Sequence, residues 1–159
     1  EDFKQNKTAL NVLFYTEKTM VAFSTLAEYG GARGPFDGDT TLVYNTLIAN
    51  VGDAYSASTG VFTAPVAGVY CFILSYHAGG DHNAKLMLIK NSELIVATSD
   101  HKSNEPSDNG GNAAVLELKK GDQVYVRMAA GTRVWADGGY HTTFSGFLVS
   151  QMRELTPEK

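Results

Sequence analysis

The side chains of this chain with most chemistry to offer are its 4 histidines, its 1 cysteine and its 17 carboxylates. Two imidazoles that share a metal from one strand face stand two residues apart, because alternate side chains point the same way. His77, His82, His101 and His141 show no such H-x-H spacing. A cupin-like metal enzyme is therefore a poor fit, and each histidine is expected as a surface or strand-end residue. Cys71 lies in "VYCFI", without the electropositive setting that makes a thiolate. It reads as a small hydrophobe inside a strand. As the only cysteine it also excludes an internal disulfide, though not export. "GFLVS" and "AFSTL" lack the glycines that flank a nucleophilic serine, and "GGARG" lacks the terminal Gly-Lys-Ser/Thr of a phosphate loop. No carboxylate pair sits in a catalytic frame. The chain reads as a binding module, not an enzyme.

The elements that must carry such a module are strands. At 159 residues the chain is expected to form one main domain, large enough to bury a core. Gly is abundant at 16 residues, aromatics reach 11% and charged residues only 19%, which suits short strands joined by tight turns. The net charge of −4, with no basic block, argues against binding to nucleic-acid phosphates. No apolar run approaches the ~20 residues of a membrane-spanning helix, so membrane insertion is not expected. Asn6-Lys7-Thr8 is a glycosylation sequon and hints at export.

Residues 1–20 are the least regular and are read as an N-terminal arm or short helix. Residues 152–159 are read as a tail. Between them, "VAFSTLAE", "TTLVYNTLIANVG", "AKLMLIK", "ELIVATS", "AAVLEL", "QVYVRM" and "HTTFSGFLVSQ" read as strands. "YGGARGPFDGD", "DHKSNEPSDNGGN" and "AAGTRVWADGGY" read as loops. Asn91-Ser92 and "KKGD" signal hairpins. "GVYCFILSY" stands apart: Tyr70, Phe72, Leu74 and Tyr76 share one face, yet Val69, Cys71 and Ile73 on the other are also apolar. Phe147, in the closing strand, is expected to be buried, with truncation to Ala costing roughly 3–5 kcal/mol. About ten short strands without a helical period predict an all-β sandwich or jelly roll.

Residues 21–151 resemble the globular head domain of complement component 1q, shared by cerebellins, adiponectin and short-chain collagens. The match is carried by "VAFS", by Asn50, Tyr55, Phe62, Gly68, Tyr70 and Phe72 at the family's spacings, by "KKGDQVYVRM" and by "TTFSGFLVS". Tyr44 and Leu74 depart from the family pattern but keep its apolar or aromatic character. "PFDGDTTLVYN" and "DGGYHTTFSGFL" are most similar to the soluble members of fish and molluscs. The resemblance implies a ten-stranded, tumour necrosis factor-like jelly roll that assembles as a homotrimer, with the second apolar face of Val69–Tyr76 meeting neighbouring subunits. It also implies a calcium site, since calcium-binding members carry two Asp at the spacing of Asp100 and Asp108. Glu105 lies between them without support from the family pattern, and a solvated acidic loop is the bland alternative.

The function so implied is a secreted, non-catalytic recognition protein of innate immunity. Its partners would be microbial glycans, lipopolysaccharide or cell-surface proteins. The alternative is a cerebellin- or adiponectin-like signalling ligand that clusters receptors. Trp135 and Tyr140 offer stacking surfaces for a sugar, although burial at a strand end is the favoured reading of Trp135.

Overall fold

The structure, a computed structural model, describes residues 19–104 and 108–153. The arm read over 1–20, the sequon at Asn6 and Glu105 therefore fall wholly or largely outside the described residues. Among the described residues there are strands and turns only. The strands are β1 (Ala22–Leu26), β2 (Gly31–Arg33), β3 (Thr40–Thr41), β4 (Thr46–Val51), β5 (Val61–Thr63), β6 (Gly68–Ala78), β7 (Ala84–Lys90), β8 (Glu93–Asp100), β9 (Asp108–Leu118), β10 (Gln123–Met128), β11 (Val134–Ala136) and β12 (Thr143–Gln151).

They form two antiparallel sheets packed as a jelly-roll sandwich. The large sheet runs β2-β11-β6-β12-β1-β4, with β9 on the other edge of β6. The small one runs β3-β10-β7-β8, with β5 also on β10. The twelve strands exceed the ten or so expected because three short ones lie outside the stretches read as strands. β2 and β11 pair with each other inside the two glycine-rich connections, and β5 pairs with β10. The "DNGGN" stretch, also read as loop, is the start of β9, because the 11-residue β6 offers it a full edge to pair with. Tertiary pairing overrides its weak strand propensity.

Alternation along β6 decides the layers. Tyr70, Phe72, Leu74 and Tyr76 point inward and are buried, while Val69, Cys71 and Ile73 point outward. Inside, Phe23, Tyr55, Phe62, Phe72 and Phe144 stack and cross edge-to-face with centroids 4.8–6.4 Å apart. Aromatic pairs at such distances contribute beyond their area. Tyr55 ties this cluster to the backbone: its hydroxyl donates to Tyr44 O at 2.9 Å and accepts from Tyr44 N–H at 3.1 Å. Burial pushes the Tyr55 hydroxyl up to about 12 and that of Tyr44 well above its usual value.

Phe147 corrects an expectation. β12 is central, between β6 and β1, but its inward residues are Phe144, Gly146 and Leu148. Phe147 lies three residues after Phe144, so it takes the opposite face and is 43% exposed. The hairpin read at Asn91-Ser92 is present, with Lys90 paired to Glu93 and positive φ at both turn residues (55° and 117°).

Candidate functional site

The outer face of the large sheet is built in rows set by strand register. One row crosses five strands as Val115, Cys71, Phe147, Ala22 and Val51. The next reads Ala113, Ile73, Ser145, Ser24 and Ala49, with Ser24 and Ser145 hydroxyls 2.9 Å apart. Above it Ser75 and Thr143 hydroxyls pair at 2.7 Å. At the end of β6, His77 faces Asn109 on one side and Trp135 on the other. The face is thus apolar toward the start of β6 and polar toward its end. Val115, Ile73, Val51 and Phe147 are all exposed by more than two-fifths. Cys71, half-buried in this stripe, is a small apolar surface residue.

Asp100 and Asp108 occupy a different place at the same end of the molecule. Asp108 pairs with the buried Ala78, and Asp100 with the buried Ala84. Both alternate in step with inward residues, so both turn toward the gap between the sheets. Tyr76 lies beneath them. Its ring crosses Gly110, where a Cβ would meet ring atoms at 2.5 Å, so only glycine fits opposite this tyrosine. The Tyr76 hydroxyl is raised chiefly by burial, eased by a hydrogen bond with Thr98 and raised further by the charges of Asp100 and Asp108. The two carboxylates expected from the sequence are therefore brought to one mouth.

The test of whether this mouth suits a cation is the state of its oxygens. Asp100 Oδ2 is buried and has no hydrogen-bond partner. Asp122, at the opposite end, is the contrast. Its carboxylate accepts from Asn91 Nδ2 at 2.9 Å and from Lys119 N–H at 2.8 Å, with Lys90 Nζ 3.9 Å away. The Asn91 bond, then that of Lys119, holds its pKa below the usual value. A buried carboxylate oxygen without a donor fits a hard cation, which takes six to eight oxygens. Asp100 and Asp108 would supply two ligands, with carbonyls and water supplying the rest. Among the described residues no group of three or more His, Cys, Asp or Glu side chains is placed to hold an ion.

Trp135 and Tyr140 do not form one platform: no ring contact joins them among the described residues. Trp135 is half-buried, its indole seated over Gly79, with the Arg133 guanidinium 5.4 Å from the ring centre. Arg133 is held in turn by Asp81. Tyr140 is exposed at a φ of 58°, unusual for a bulky residue. An open groove of about 880 Å³ near Asn50, Asp53, Thr59 and Lys120 is lined mostly by small neutral residues and offers little chemistry.

The sequence profile of the C1q domain matches residues 16–149. The chain belongs to the C1q domain family. Complement C1q tumor necrosis factor-related protein 3 of Mus musculus is 32% identical over 113 residues, covering 70% of this chain and 46% of that protein. Caprin-2 of Danio rerio is 32% identical over 139 residues, covering 82% of this chain and 14% of that protein. The chain thus spans less than half the length of these curated relatives. Among solved structures, the globular domain of zebrafish complement 1qA aligns with a TM-score of 0.69 at 24% identity, over 84% of this chain and all of that one. Eiger TNF from S. frugiperda gives 0.69 at 16%, over 89% of this chain and all of that one. Both share the fold. No helix among the described residues is long and apolar enough to cross a membrane.

Proposed function

We propose that this C1q domain is a secreted, non-catalytic recognition module of innate immunity that works as a homotrimer. The observation that carries the proposal is the outer row Val115, Cys71, Phe147, Ala22 and Val51, which leaves large apolar side chains in water on a regular sheet. Such a patch marks an interface in a soluble protein. Covering it with two copies turns the polar loop end of each subunit in one direction. Three weak sites for a repeated glycan or lipopolysaccharide then gain by avidity, by factors of ~10²–10⁴ when the spacing allows. Sedimentation at micromolar concentration is expected to give three times the 17.1 kDa chain mass, and Phe147→Asp to give the single chain. Wild-type protein sedimenting as one chain would end the proposal.

Calcium at Asp100 and Asp108 belongs to the same reading, supported by the unpartnered Asp100 Oδ2. Calcium is expected to raise the melting temperature because it binds the folded chain, and Asp100→Asn with Asp108→Asn to remove that rise. Equal melting in calcium and in chelator would rule out calcium at these two carboxylates.

The likeness to C1q tumor necrosis factor-related protein 3 and the fold shared with Eiger TNF favour a second reading, a ligand that clusters receptors. An array of microbial glycans and lipopolysaccharide, run beside a panel of receptor ectodomains, separates the two.

A further inference from the structure

His77 closes the outer face of β6, and His141 stands just before β12. The β6–β12 ladder pairs Leu74 with Phe144 and Ser75 with Thr143. The ladder ends there, and the cross-strand partner of His77 is Trp135 of β11. Two hydrogen bonds made by side chains nevertheless bring His141 back against the end of β6: His77 N–H donates to Thr142 Oγ1 at 3.3 Å, and the Ser75 hydroxyl donates to His141 O at 3.1 Å. The imidazole centres are 5.1 Å apart with planes tilted by 33°.

Asn109 Oδ1 lies 2.7 Å from His77 Nδ1. A carboxamide oxygen only accepts, so this bond puts the imidazole proton on Nδ1 and leaves the lone pair on Nε2. Among the described residues, neither Nε2 of His77 nor either ring nitrogen of His141 has a hydrogen-bond partner. Gly139 makes room for the second ring, since a Cβ there would come within 2.8 Å of His141 Cδ2. Asp137, in the same loop, spends Oδ1 on Gly139 N–H at 3.1 Å.

Neutral imidazoles are ligands for borderline divalent ions, whereas calcium and magnesium prefer oxygen. With metal–nitrogen bonds of about 2.0–2.1 Å, two rings sharing a tetrahedral ion hold their centres about 5 Å apart. The observed separation agrees. The Asn109 contact is the outer bond by which ligating histidines are oriented. We propose that His77 and His141 chelate a borderline divalent cation of the zinc, nickel or copper type on the outer face of the large sheet. The protein supplies two nitrogens and water completes the coordination, so the ion is exchangeable. The site is distinct from the Asp100 and Asp108 mouth in donor chemistry and in the face it occupies.

The experiment uses untagged, chelator-stripped protein titrated with zinc chloride in excess calcium, which fills hard-oxygen sites first. Calorimetry is expected to give one zinc ion per chain. His77→Gln and His141→Gln should each weaken binding by about tenfold or more, and Asn109→Ala by about tenfold. His82→Gln and His101→Gln should leave it unchanged, as should Asp100→Asn. In wild-type protein, zinc should shift the imidazole resonances of His77 and His141 only, a readout that does not depend on any variant folding. Zinc binding that survives the double His77→Gln, His141→Gln change, or wild-type imidazole resonances that ignore zinc, would overturn the proposal.

Discussion

The two faces of the large sheet are made from the same strands and nearly the same residue types, yet they do opposite things. On β12, Phe144 is fully buried among Phe23, Tyr44, Tyr55 and Phe72, while Phe147 is 43% exposed. On β6, Phe72 is buried and Ile73, next along, is 47% exposed. Hydrophobicity alone therefore does not say which apolar residues hold a chain together. Contact with the second sheet does, and what remains is available to other chains.

The largest effect should come from the inner face. Phe144→Ala removes a ring from the aromatic cluster and is expected to cost roughly 3–5 kcal/mol in denaturant unfolding. A loss below about 1 kcal/mol would mean that the inner and outer rings are equivalent and the contrast false.

A smaller effect concerns the hydroxyls of the same cluster. Tyr44 and Tyr55 are raised in the folded chain, Tyr55 to about 12. Unfolded tyrosines ionise near 10, so this contribution is complete below about pH 10 and is lost as pH rises toward 12. Far-ultraviolet dichroism followed against pH should show unfolding in that window. Replacing Tyr55 by Phe frees two buried backbone groups of Tyr44 and should cost about 1–3 kcal/mol at neutral pH.

Smaller still is Asp122, outside both faces. Its lowered pKa gives stability present above the ordinary carboxylate value of about 3.9 and lost as pH falls below it. Asp122→Asn should flatten the acid limb of the melting curve.

The smallest effect on the stability of the single chain should come from Phe147→Ala, within about 0.5 kcal/mol when measured on dissociated protein. Its sedimentation should change most. Near-normal assembly with lost stability would reverse the roles of the faces.

Much of this was legible in the sequence. Alternation in "GVYCFILSY" separated the two faces of β6, and Asn91-Ser92 marked its hairpin. The side of β12 that faces inward was not legible, because Phe144 and Phe147 are equally apolar and alternation alone does not say which faces the core. The strands β2 and β11 hid in glycine-rich segments because each is held by its partner and not by its own propensity. Of the candidate site, the Asp100 and Asp108 spacing was readable through family resemblance, while the orphaned oxygen was not. His77 and His141 looked scattered because what joins them is side-chain hydrogen bonding between β6 and the segment just before β12, a relation between distant parts of the chain.

Register also gives the molecule a direction. Val21 O accepts from Leu148 N–H at 2.9 Å, and Met152 N–H donates to Ala67 O at 2.9 Å, so both described ends of the chain leave beside the start of β6. Asp108 and His77 lie at its other end, across 11 residues of extended chain, or about 33 Å. A linker, fluorophore or solid support joined at residue 19 or at residue 153 would stand on the far side from both candidate ion sites. The domain can be anchored at either of these two positions without blinding it, and a sensor chip coated through either should present the same loops to the solution.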